Sequence, residues 1–76
     1  MTKLPVISYR ELVKVLKYLG FELIRQKGSH QIFKHSDGRQ TVIPFHKGED
    51  INKGLLKAIL NDIDISVKEF EELRRK

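Results

Sequence analysis

A chain of 76 residues that is 39% hydrophobic and 33% charged is too apolar for a disordered segment and too short for more than one domain. It has no cysteine, which excludes a disulfide framework and a thiolate metal site and fits the reducing cytoplasm; it also has no apolar signal core and no apolar run near the roughly 20 residues that cross a bilayer. The net charge of +5 is uneven, with eleven Lys/Arg against five Asp/Glu in residues 1–57 and four against five in residues 58–76, so a polyanion such as nucleic acid is the expected partner of the larger part.

After a lead-in containing Pro5, the first structured signal is Ser8-Tyr9-Arg10-Glu11, the pattern of a capping box in which Ser8 accepts from the amide three residues on and Glu11 reaches back. Leu12, Val15, Leu16 and Leu19 then recur at helical spacing, with Lys14 and Lys17 turned outward, and Gly20 supplies the stop; the spacing predicts a helix from about Tyr9 to Leu19. Phe21 to Gln26 mixes aromatic and aliphatic residues as a strand does, and Lys27-Gly28-Ser29 breaks it. A second strand follows through Gln31-Ile32-Phe33-Lys34. The Asp37-Gly38 pair marks a hairpin, and Gln40 to Ile43 forms a third strand that Pro44 ends or places at an edge.

Residues 45–50 read as a loop, with Asp50 or Asn52 capping a helix that carries Leu55, Leu56, Ile59 and Leu60. Lys53 and Lys57 lie four apart near its start, where a basic first turn opposes the helix dipole and suits an anionic ligand. Ser66-Val67-Lys68-Glu69 repeats the capping-box pattern and opens a short amphipathic helix with Val67, Phe70 and Leu73. The order helix, strand, strand, strand, helix, helix predicts an α+β fold of two layers, a three-stranded antiparallel sheet with helices on one face.

Chemistry concentrates in Lys27-Gly28-Ser29-His30. Glycine lets the backbone turn or approach a ligand, Ser29 offers a donor and acceptor, and histidine is the side-chain type that moves protons in both directions near neutral pH. Strand alternation sharpens the reading: if Phe33 faces the core, Gln31 and His35 share its side, while His30, Ile32 and Lys34 point to the open face, provided that no bulge at Gly28-Ser29 changes the parity. His35 is expected as a solvent-facing strand end and His46 as a loop residue. The three histidines have neither a close carboxylate pattern nor the spacing of a helical zinc site, so no metal is expected.

These residues resemble the HicA toxins of bacterial and archaeal toxin-antitoxin pairs, small ribonucleases with a double-stranded-RNA-binding-domain-like fold. The likeness runs nearly end to end through Gly20-Phe21, Gly28-Ser29-His30-Gln31-Ile32-Phe33, Ile43-Pro44-Phe45-His46 and Lys53-Gly54-Leu55-Leu56. It implies metal-independent cleavage of mRNA with no cofactor, His30 as the catalytic residue, and a HicB antitoxin covering the active surface. Many relatives have a second histidine directly after the first, where this chain has Gln31, so the second proton-transfer role stays open among His46, Lys27, Lys34 and water. Lys27, Gly28, Ser29, Lys34, His46, Lys47, Lys53 and Lys57 are the candidate substrate-binding residues. Two readings from other classes compete: a non-catalytic module that reads the shape of double-stranded RNA, and a protein-interaction adaptor. The first leaves the imidazole without a task, and the second leaves the basic part of the chain without one.

Overall fold

The computed structural model describes residues 6–46, 48 and 50–75. A two-residue strand, β1 (Ile7–Ser8), leads into helix α1 (Tyr9–Leu19), followed by strands β2 (Glu22–Lys27), β3 (His30–Lys34) and β4 (Gln40–Pro44). A second two-residue strand, β5 (Asp50–Ile51), then precedes helices α2 (Lys53–Asp62) and α3 (Val67–Arg74). The main sheet is antiparallel in the order β2-β3-β4, and β1 pairs with β5 in a separate ladder. This is the expected α+β arrangement, with one addition. The β1–β5 ladder joins the starts of α1 and α2, burying Ile7 against Ile51. Two residues are too few for a period to show in a sequence.

The helices cover one sheet face because alternation puts Gln31, Phe33, Thr41 and Ile43 on it, and all four are buried. Leu12, Val15 and Leu16 of α1, Leu56, Ile59 and Leu60 of α2, and Phe70 of α3 close over these residues, together with Phe21 and Ile63. Asn52, not Asp50, caps α2, its Oδ1 accepting from the Leu55 amide at 2.9 Å. Asp50 is committed to β5 instead. The capping box at Ser66 forms in full, with the Ser66 side chain and Glu69 answering each other's amides.

At Ser8 only half of the expected box forms. Ser8 Oγ accepts from the Glu11 amide at 3.1 Å, but the Glu11 carboxylate turns to Arg74, whose Nε donates to it at 3.0 Å across to α3. An exposed ion pair of this kind is worth about 1 kcal/mol or less. The exchange is therefore nearly neutral, and the packing of α3 on α1 decides it.

The loop joining β3 to β4 corrects a second expectation. His35 does not face solvent: Nε2 lies 3.0 Å from the Leu19 carbonyl at the end of α1, and the ring meets Phe21 edge-on with centroids 5.1 Å apart. Nδ1 accepts from the Asp37 amide at 3.0 Å when the ring is neutral, and Asp37 Oδ2 stands 3.2 Å away, placed to accept from the Nδ1–H of a charged ring. Arg39 lies over the Phe21 ring, 5.2 Å from its centroid, and donates to the Ile63 carbonyl just past α2. The Arg39 amide, then its guanidinium and the His35 ring, hold the Asp37 carboxyl below the usual range against a smaller opposing effect of desolvation. One loop thereby fastens the ends of two helices. It closes as a three-residue hairpin, with His35 N–H donating to Arg39 O at 2.8 Å and Gly38 at φ 102° in the left-handed position.

Gly20 ends α1 in the same backbone region, at φ 100°, with the Phe21 amide donating back to Leu16 O and the Gly20 amide to Lys17 O, a Schellman ending. A Cβ at Gly20 would also stand 3.0 Å from His35 Nε2, whereas one at Gly38 would meet nothing within 4 Å. Both Gly→Ala changes carry the left-handed backbone cost of about 1–2 kcal/mol, but only the change at Gly20 also displaces His35. Urea denaturation is expected to show Gly20→Ala as clearly the more destabilising of the two. Equal losses would mean that the His35 contact contributes nothing.

Candidate functional site

Directly opposed residues on antiparallel strands share a face, so the register writes out the uncovered side of the sheet. Lys27, His30 and Pro44 form its first row, Arg25, Ile32 and Val42 the second, and Glu22, Lys34 and Gln40 the third. His30, Lys27 and Arg25 are exposed, and Val42 keeps 39% of its surface in solvent. The expected parity of β3 therefore holds, and His30 is accessible. The bulge falls elsewhere, between Leu23 and Arg25 on the edge strand β2, where it leaves Ile24 53% exposed.

Gly28 and Ser29 form the two-residue turn that joins β2 to β3. Gly28 has φ 59° while Ser29 has no positive φ, which fits a turn whose first central position alone requires glycine. The turn is held on both carbonyls. Gln26 Nε2 donates to Gly28 O at 3.1 Å, and the Phe45 amide donates to Ser29 O at 2.7 Å. Phe45 in turn packs on Tyr9, with ring centroids 4.5 Å apart and planes inclined at 54°. The Tyr9 hydroxyl donates to Gln31 Oε1, and Gln31 Nε2 reaches Gln26 Oε1 at 3.4 Å. Burial pushes the Tyr9 phenol up, which keeps it a donor.

The candidate residues divide by location. Lys27 is the cross-strand partner of His30, and at such pairs the Cβ atoms lie about 4.5–5.5 Å apart. His46 follows two residues after Pro44, the other partner of His30. Phe45 packs on Tyr9, and His46, past the end of β4, is exposed. Lys34 shares the face but lies four residues along β3, about 13 Å away, too far to meet the same phosphate. Lys53 and Lys57 are exposed on α2, in the helical layer, with no acid in the helix's first turn. Lys47 lies outside the described residues. Arg25 was missed, yet it stands one row from His30. Its only signal was a place two residues before Lys27 on a strand, which identifies a face only after the bulge is located.

Chemically, this corner offers an accessible imidazole, an adjacent ammonium and a turn hydrogen-bonded on both carbonyls. Among the nine residues of the face, the acid is Glu22, two rows from His30. Among the described residues no group of three or more His, Cys, Asp or Glu side chains is placed to hold a metal ion. Also among them, no helix is long and apolar enough to cross a membrane.

The fold and the site together define a small basic α+β protein with an accessible histidine beside a glycine turn. The family described as the HicA toxin of bacterial toxin-antitoxin matches residues 9–65, from the start of α1 to just before α3. The chain is also similar to a probable mRNA interferase HicA of Pseudomonas fluorescens (strain Pf0-1), 37% identical over 60 residues that make up 78% of this chain and 97% of that protein. The chain belongs to the HicA toxin family.

Proposed function

We propose that this protein is the toxin of a type II toxin-antitoxin pair, a single-domain endoribonuclease that cuts mRNA and stops translation, with His30 as general acid or base. The observation that carries the reading is His30 itself, exposed at the first position of β3 beside Lys27 and backed by a turn fixed on both carbonyls. The imidazole accepts the proton from a ribose 2′-hydroxyl as the oxygen attacks phosphorus, and Lys27 offsets the charge that builds on the phosphorane. We assign the protonation of the departing 5′-oxygen to His46, which is exposed two residues past Pro44, the other cross-strand partner of His30. Gly28 and Ser29 would seat the phosphate, Arg25 and Lys34 continue the track along the sheet, and Lys53 and Lys57 extend it from the start of α2, with Lys47 a further candidate on its sequence alone. No metal enters this scheme.

Purified protein incubated with labelled RNA in EDTA should cleave it and leave 2′,3′-cyclic or 3′-phosphate ends. His30→Ala should lose about 10²–10⁴-fold in rate, the usual contribution of a general acid or base, while keeping a cooperative melting transition. Retention of RNA without cleavage by the wild type would establish the binding module instead. Cutting next to a 2′-deoxy position would rule out attack by the 2′-hydroxyl.

RNA affinity measured across a salt series separates the cations. Replacing a lysine that touches phosphate lowers the slope of log affinity against log salt by about 0.7–0.9. Lys27→Gln is expected to show this loss, and Lys53→Gln with Lys57→Gln about twice that loss. An unchanged slope would remove the residue from the RNA path.

The same face is the surface that a HicB-type antitoxin would cover. Its positive charges, interleaved with Ile32 and the exposed Val42, suit a partner that offers carboxylates around an apolar centre. Reversing Arg25 and Lys27 to glutamate should weaken the antitoxin complex by about a hundredfold, because like charges then meet across the interface. Undiminished affinity would place the antitoxin on another surface.

A further inference from the structure

Gln31 is out of place by the ordinary rule of burial. It sits on the helix-facing side of β3, 7% exposed, where its neighbour two residues on is the core residue Phe33. A buried amide that lacks partners costs about 1–3 kcal/mol, yet this one is supplied on both ends. Its oxygen accepts from the Tyr9 hydroxyl and its nitrogen donates to Gln26 Oε1, while Gln26 Nε2 donates to the Gly28 carbonyl. Every bond in this relay runs in one direction, from the phenol to the turn. A second route also starts at Tyr9, through its ring packing on Phe45 to the Phe45 amide that donates to Ser29 O. Both peptide carbonyls immediately before His30 are thus tied to one residue in the first turn of α1.

We infer that Tyr9 and Gln31 are positioning residues for His30, fixing the Gly28-Ser29 turn so that the imidazole is presented in one orientation; the inference rests on the nuclease reading above. Neither side chain belongs to the open face that carries His30, and the Tyr9 hydroxyl and the Gln31 amide are engaged within the relay, so neither reaches the phosphate beside His30. Their effect reaches the reaction through backbone geometry, where a displacement of about 1 Å is worth on the order of a hundredfold in rate. Two consequences separate this role from plain structural support. The relay acts as a unit, so the effects of removing its members do not add. Its loss also lowers turnover more than substrate affinity, because the turn that seats the phosphate is loosened while the cations that bind it are untouched.

The test uses Tyr9→Phe, which removes only the hydroxyl, Gln31→Met, which keeps the length and removes both polar atoms, and the double variant. NMR order parameters of the Gly28 and Ser29 amides are measured alongside kcat and KM for RNA cleavage. The wild-type turn should be as rigid as the flanking strands, near 0.85, and the variants should fall toward 0.6. The expected kinetic result is a kcat about tenfold lower in each single variant, KM within twofold, and no further loss in the double variant. Unchanged order parameters overturn the inference, as does a wild-type kcat in a folded Tyr9→Phe protein or a double variant whose losses multiply. If the wild type does not cut RNA, the nuclease reading fails, and the order parameters still decide whether Tyr9 and Gln31 hold the turn.

Discussion

Side chains alternate across β3, and that period of two lets five residues form part of the core and part of the candidate reactive face. Gln31 and Phe33 go inward; His30, Ile32 and Lys34 go outward. A slip of one residue would bury His30 and Lys34 and expose Phe33, so the register must be held firmly. Three devices hold it. The two-residue turn at Gly28-Ser29 fixes one end, the three-residue loop closed by Gly38 fixes the other, and the Phe45–Ser29 backbone bond extends the β3–β4 ladder past its last paired residues. The same devices that specify the sheet therefore present the imidazole.

A chain this short has little core with which to hold three helices, and polar contacts from the β3–β4 loop and the start of β4 make up part of the difference. His35 reaches the last carbonyl of α1, Arg39 a carbonyl just beyond α2, and Thr41 the Asp62 side chain at 3.0 Å. Phe21 lies between His35 and Arg39, so the aromatic residue that follows the Gly20 stop is contacted by both. These contacts lie at the opposite end of β3 from His30. Stability and the candidate chemistry are thus separated along one strand by about 13 Å.

The family match ends at residue 65, and α3 begins at Val67. This helix adds Phe70 to the core and Arg74 to Glu11 and Glu71, and none of its residues belongs to the open face. Its contribution is to close the core behind α1. The acidic balance of residues 58–76 fits that division, since the surplus of cations stays with the segments that form the sheet face and the start of α2.

The sequence by itself determined what depends on near neighbours. Helix stripes, caps, glycine stops and strand alternation are all set within a few residues, which is why α1, α2, α3, the three main strands and the exposure of His30 were legible. Gly28-Ser29-His30 was legible for the same reason, as a turn chemistry followed by a strand. Tertiary structure decided whatever required two distant segments to meet. Glu11 turned to Arg74, 63 residues away, instead of completing its own cap; His35 found the end of α1; and β1 gained strand form only by pairing with β5. The Tyr9–Gln31–Gln26 relay belongs to this second group. Tyr9 and Gln31 are 22 residues apart, and a glutamine at an inward strand position carries no local signal of its partner. Only the folding of α1 onto the sheet brings the phenol to the amide, because a hydrogen bond needs its two groups within about 3 Å and no propensity supplies that distance.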